Sequence, residues 1–245
     1  PGLPEIPGGW SERNVEVGSR DFVLTLPADP NAFLDDPAVL DANQLSDFMP
    51  YWSYLWPSSL KMARLLCEST MFAQDKNRVP GRTLEIGSGI GLVGVAGLAA
   101  GFEVTFSDYD DTAVRLAQHN AVRNGFVGRS AVRLDWREMD DTSLKPFSVI
   151  LGCDVVYEGP NHPLVLSVLD RLLESDGVCW LGDPGRGALS QFALLAEERG
   201  FQITMFDENG EEITSAVDRQ RGTSSRDLRF VINDFRLLRL RRSSL

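Results

Sequence analysis

A chain of 245 residues, 43% hydrophobic and 24% charged, is long enough for one sizeable α/β domain with an appendage and too short for two generous ones. Its net charge of −11 repels a phosphate backbone, which argues against nucleic acid as a partner, and no apolar run approaches the roughly 18–20 residues of a membrane span. Cys67, Cys153 and Cys179 show no CxxC spacing, and residues 1–7 have neither the basic region nor the apolar core of a signal peptide, so a reducing cytoplasm is expected and a disulfide framework or metal site is not.

Residues 14–17 and 22–26 alternate well enough for two short strands, with Gly18 and Ser19 as the turn between them. Residues 27–37 read as a loop. Pro57 suits the first turn of a helix carrying Leu60, Ala63, Leu66 and Cys67 on one face. Residues 1–56 are therefore taken as a hairpin and an aromatic segment packed on a domain spanning 57–245. From Arg82 onward strands alternate with helices: strand 83–86, helix 93–100, strand 103–107, helix 112–124, strand 131–134. The pattern continues through strand 148–153, helix 163–173, strand 178–182 and helix 188–198. Two late strands, 202–206 and 229–238, have no helix between them, so one is expected to be antiparallel. Such alternation predicts a Rossmann-like, doubly wound sheet of seven strands, mostly parallel and covered on both faces. The basic run 236–242 reads as strand with outward charges rather than as a nucleic-acid arm.

Open sheets of this kind bind ligands at the carboxyl ends of their strands. The first strand runs into Gly87-Ser-Gly-Ile-Gly91, where glycines let backbone approach a ligand and present amides at a helix start. Gly89 to Gly94 satisfies a GxGxxG pattern, yet it is out of register with the strand, and Glu85 faces the place a pyrophosphate would take. A nucleoside bearing an amino acid fits better than a dinucleotide. Asp108, about 20 residues beyond the turn, is placed to accept from both ribose hydroxyls, with Tyr109 flanking the base. Asp110 and Asp111 cap the next helix. Asp135 is a candidate acceptor for the adenine amino group, and Trp136 either packs on the ring or fills core. His119 reads as a surface or packing residue. His162 reads as a cap or a solvent-facing side chain, with a base role held open.

The fourth strand ends in Cys153-Asp154-Val-Val-Tyr157. Asp154-Val-Val-Tyr157 resembles the Asp-x-x-Tyr motif of the seven-β-strand protein lysine methyltransferases, a group of class I S-adenosylmethionine-dependent enzymes. Residues 50–57, Pro-Tyr-Trp-Ser-Tyr-Leu-Trp-Pro, resemble the aromatic segment before the cofactor domain in that group. Gly182-Asp-Pro-Gly-Arg186 is similar to the branch that modifies the β subunit of electron-transfer flavoprotein, although Ser58-Ser59 stands where that branch has glycines. The resemblance spans roughly residues 48–206. It implies S-adenosylmethionine as cofactor, seven sheet strands, and a lysine side chain on a protein as acceptor. It places Trp56, Glu85, Gly87, Gly89, Gly91, Asp108, Tyr109, Asp135, Trp136 and Cys153 around the cofactor. Asp154 is implied to orient the amine, and Tyr157 to supply a hydroxyl and an aromatic wall. Trp56 either covers the methionine end or acts as a hydrophobic staple before Pro57. Asp183 and Arg186 either shape the acceptor channel or close their own loop with a salt bridge. Two other readings stand beside this one: a small-molecule N- or O-methyltransferase, and a nucleotide-binding module without catalysis. Neither membrane nor nucleic acid is expected as a partner. Oligomeric state is left open, since a monomer of this length buries a core unaided.

Overall fold

The computed structural model describes residues 2–46, 49–72, 81–214 and 235–243. The chain opens with an antiparallel hairpin, β1 (Trp10–Val17) and β2 (Arg20–Pro27), paired in register from Trp10 with Pro27 to Val17 with Arg20. Both strands extend beyond the expected bounds. The stretch read as loop contains a 3-10 turn, Pro30–Asp35, followed by α1 (Pro37–Ser46). After a short 3-10 turn at Tyr51–Ser53 comes α2 (Pro57–Glu68), with proline in its first turn.

Seven strands then form one sheet: β3 (Arg82–Ile86), β4 (Glu103–Asp108), β5 (Ala131–Arg133), β6 (Phe147–Cys153), β7 (Leu173–Asp183), β8 (Phe201–Phe206) and β9 (Arg236–Arg242). Their order is β5-β4-β3-β6-β7-β9-β8, with only β9 antiparallel to its neighbours. Helices α3 (Leu92–Ala99), α4 (Asp111–Arg123), α5 (Asn161–Leu172) and α6 (Gly187–Glu198) connect the strands. This is the expected doubly wound α/β sheet. The order reverses between β3 and β6, which opens a crevice at their carboxyl ends.

Period-two alternation divides the core. Val149 and Leu151 of β6, with Val178 and Trp180 of β7, pack on one face of the sheet with α2, α3, α4 and the hairpin. Ile150, Cys179 and Leu181 pack on the other with α5 and α6. The last strand coincides with the basic run 236–242 that reads as strand, and it extends past the bound of 238 set for 229–238. Residues 229–234 of that expectation fall outside the described residues. Inside the sheet β9 must cover both faces, and its arginines do so with their stems and flat heads. Arg239 stacks over Trp180 and Phe206 at 5.8 and 5.3 Å, and Arg242 over Phe201 at 5.2 Å.

The hairpin is fixed to α4 by two asparagines. Asn120 accepts from the Thr25 amide at 2.8 Å and donates to the Thr25 carbonyl at 3.0 Å and the Ile90 carbonyl at 2.9 Å. One turn on, Asn124 makes the same paired bonds with Val23. His119, expected as a surface or packing residue, lies 3.1 Å from the Thr25 hydroxyl.

Candidate active site

The crevice is a cavity of about 520 Å³, and all twelve residues named from the sequence line it: Trp56, Glu85, Gly87, Gly89, Gly91, Asp108, Tyr109, Asp135, Trp136, Cys153, Asp154 and Tyr157. At its floor β3 delivers the chain into the glycine turn. Gly87 has φ +60°, and a Cβ there would meet Val155 at 2.9 Å, so a side chain would push into the loop that carries Asp154. Gly91, φ +84°, begins α3 and lies so close to α4 that a Cβ would sit 2.7 Å from the Ala117 backbone. That second glycine serves helix packing as well as lining the cavity.

Glu85 is buried. Its Oε1 accepts from the Gly94 amide at 2.8 Å, whereas Oε2 is buried without a partner. Loss of hydration pushes this carboxyl up to about 8. Asp108, also buried, accepts from the Gly89 amide at 2.9 Å and the Asp110 amide at 3.1 Å, and burial pushes it up to about 6. Ser88, which the sequence reading did not single out, ties the turn to β4 by accepting from the Ser107 amide at 3.0 Å. Asp110 caps α4 through the amides of Thr112 and Ala113, as expected. Asp135 faces the cavity with its carboxylate already clamped by Arg137, whose hydrogen bonds hold it below the usual carboxylate range. Arg137 is thus a second cavity residue that sequence reasoning missed; it lies two positions from a residue that was named.

The β6 end is built differently. Asp154 has φ +57°, the one non-glycine residue in the left-handed region among the described residues. Its amide donates to the Gly182 carbonyl at 2.9 Å. Its Oδ1 accepts from Arg186 Nη1 at 2.7 Å, and its Oδ2 accepts from the Ser58 hydroxyl. The Cys153 thiol lies 3.7 Å from the same Oδ2, and burial pushes that thiol well above its ordinary range. Ser58 occupies the position where the resembled branch has glycine, so the departure from that pattern is itself a contact with the site. Arg186 is set by Asp183, which is fully buried and accepts from the amides of Gly185 and Arg186 at 2.8 Å each. The salt bridge of Arg186 therefore exists, to Asp183 of its own loop at 3.6 Å and, more closely, to Asp154 at 2.7 Å.

An aromatic rim closes the mouth. Tyr157 meets Tyr51 edge-on at 5.7 Å between ring centres. Trp56 packs beside Tyr51 and Tyr54 at 6.3 and 5.7 Å, and its indole N–H donates to the Tyr51 carbonyl at 3.0 Å. Burial raises the Tyr157 hydroxyl above its ordinary value. Tyr51 and Tyr54 belong to the aromatic segment singled out from the sequence, though neither was named there as a site residue. His162 requires a correction. It is neither a cap nor solvent-facing, but 1% exposed, with Nε2 3.1 Å from the Val156 carbonyl and its ring edge-on to Phe192. Because α5 begins at Asn161 rather than at 163, the histidine is turned inward, where it supports the Asp154–Tyr157 loop from behind.

Residues 51–187 match the family described as lysine methyltransferase, a span that contains every residue of this cavity except Met49. The chain belongs to that family. Among similar proteins, a histone-arginine methyltransferase of Xenopus laevis is 30% identical over 51% of this chain and 53% of its own length. A histidine protein methyltransferase 1 homolog of Dictyostelium discoideum is 31% identical over 52% and 41%. A protein-lysine N-methyltransferase of Schizosaccharomyces pombe is 29% identical over 53% and 48%. The chain spans about half the length of these relatives. Among solved structures, a TehB-like methyltransferase from Corynebacterium glutamicum shares the fold with a TM-score of 0.55 at 16% identity, covering 88% of this chain and 100% of that one. The matched span includes the Asp154–Tyr157 loop and most of the aromatic segment; the relatives' names differ in the acceptor residue, arginine, histidine and lysine.

Proposed function

We propose that the chain is an S-adenosylmethionine-dependent methyltransferase whose acceptor is a lysine side chain of a protein. The observation that carries the reading is the convergence of β3, β4 and β6 on one cavity, where Glu85 Oε2 is buried without a partner. An orphaned carboxylate oxygen needs a donor or a cation, and the α-ammonium of an amino-acid-bearing nucleoside is both. Asp108 keeps acceptor capacity beyond its two amide bonds, which suits a pair of ribose hydroxyls. Tyr109 and Trp136 offer ring faces for the base. Asp135 is committed to Arg137, so its assigned bond to the adenine amino group uses a lone pair that Arg137 leaves free. The residues present fit the group.

When bound, S-adenosylmethionine supplies an electrophilic methyl on a sulfonium sulfur, and the amine lone pair forms the new C–N bond while the bonding electrons stay on sulfur. The protein's share is alignment and desolvation. Asp154 orients the amine through a carboxylate that Ser58 and Arg186 hold from two sides. Tyr157, Tyr51 and Trp56 form the channel wall, where their apolar faces strip water from the incoming chain. An arginine acceptor is the second reading, favoured by the name of the Xenopus relative.

The experiment has two parts. Calorimetry with S-adenosylmethionine, S-adenosylhomocysteine and NAD is expected to show binding of the first two alone. Transfer of labelled methyl into a protein extract, followed by hydrolysis to amino acids, is expected to yield methyl-lysine; methyl-arginine would establish the second reading, and binding of NAD alone would overturn both.

A further inference from the structure

Asp183 and Asp154 stand at the ends of adjacent strands, and one cation lies between them. Arg186 Nη1 is 2.7 Å from Asp154 Oδ1 and 3.6 Å from Asp183 Oδ2. Asp183 Oδ2 has no hydrogen-bond partner, so the guanidinium is its only charge partner among the described residues. The guanidinium carbon sits 6.0 Å over the ring of Trp56, itself a lining residue of the cavity. A guanidinium keeps its proton at any assay pH. The countercharge to Asp154 is therefore permanent.

We propose that Arg186 makes this site take its acceptor as a neutral amine, by cancelling the charge of Asp154 so that the carboxylate orients the nitrogen without holding it as ammonium. This rests on the methyltransferase reading above. A bare carboxylate within hydrogen-bonding reach favours the charged form of an amine, and an ammonium has no lone pair to offer. A fixed cation beside that carboxylate opposes the effect, so the acceptor's proton passes to bulk water as the nitrogen enters. The other groups facing the pair leave this balance in place. Tyr51, Tyr157 and Cys153 are phenols and a thiol, the last two raised by burial. Burial likewise pushes the Asp183 carboxyl above its usual range, and the guanidinium lies nearer to Asp154, at 2.7 Å against 3.6 Å. Glu158 lines the mouth, where solvent screens it. Lys61, one turn along α2 from Ser58, is bound to Glu208.

The first test needs no acceptor. S-adenosylmethionine carries a positive sulfur and S-adenosylhomocysteine a neutral one, so the ratio of their dissociation constants reads the charge at the reacting centre. In Arg186→Gln the preference for the charged ligand is expected to rise about tenfold, the equivalent of one unit in a titration, whereas Arg186→Lys stays within about twofold of wild type. The second test is the pH profile of kcat with a lysine acceptor, whose rising limb is expected to move up by about one unit in Arg186→Gln, with the rate recovering at high pH. An unchanged ligand ratio, or a loss of rate by the same factor at every pH, would overturn the proposal and leave Arg186 a purely structural residue. Should the Gln variant fail to fold by thermal melting, Arg186→Met repeats the ligand test. If wild type binds neither ligand, it is the methyltransferase reading that has failed, an outcome distinct from an unchanged ratio.

Discussion

Glu85 and Asp108 on one side of the cavity and Asp154 on the other are held by different means. On the β3–β4 side, Glu85 and Asp108 are held by backbone amides of the glycine turn and the adjoining helices. On the β6–β7 side, Asp154 is held by side chains from α2 and from the loop after β7, residues distant in sequence. Amides of a turn are present whatever the side chains are, so the first arrangement follows from the fold. The second depends on the identities of positions 58 and 186 and changes with them. A family that keeps one cofactor while its relatives are named for different acceptor residues would be built in this way.

Four experiments break or sharpen that contrast. The largest effect is expected from Asp154→Ala, which should lower transfer by roughly 1,000-fold while changing cofactor affinity by less than about fivefold; an equal loss of both would erase the division between the halves. Asp108→Ala comes next, weakening S-adenosylmethionine by about 100-fold in calorimetry, or ~2.7 kcal/mol.

The third concerns protons. Glu85 rises from 4.5 to about 8 in the folded protein, so its neutral form is the one the fold favours. Its contribution to stability is full below 4.5 and is lost as pH rises towards about 8, because the unfolded chain then gives up the proton more readily. Urea unfolding of the ligand-free protein should show this decline, and Glu85→Gln should flatten it. Placing an ammonium beside Glu85 ionises it, so cofactor binding at pH 7 should release close to one proton in wild type, and fewer in Glu85→Gln, when calorimetry is repeated in buffers of different ionisation enthalpy. The smallest effect belongs to Ser58→Gly. Losing one hydrogen bond to Asp154 should reduce kcat about three- to fivefold with cofactor affinity unchanged.

The sheet was readable because its strands carry unambiguous patterns: apolar residues fill both faces of β6 and β7, and glycines punctuate β3. The β3–β4 half of the candidate site was legible for a related reason, since a residue held by its own strand end and turn leaves a local trace. Arg186 was named, yet its partner was not, because a contact between residues 32 apart in sequence leaves no local mark. The positive φ of Asp154 is equally silent in a residue that is not glycine. Helix α1 was missed although Asp36 caps the Val39 amide and Pro37 stands at its first position. Its Val39 and Leu40 are adjacent rather than spaced to share a face, and Leu40 is exposed, so periodicity gave no signal. The end set at 238 falls short of β9, although the basic run 236–242 was itself legible as strand; its arginines stack on rings instead of pointing outward.

The pairing of Asn120 and Asn124 with Val23 and Thr25 closes the free side of β2 with side chains instead of another strand. A two-stranded ribbon with an open edge is a template on which a second chain can add itself. Here the template is blocked only while α4 stays coiled, since the two amides lie one turn apart on it. The third bond of Asn120, to the Ile90 carbonyl in the glycine turn, makes the same residue a support for the floor of the cavity. A local opening of α4 would thus bare a sticky edge and slacken the glycine turn in a single event.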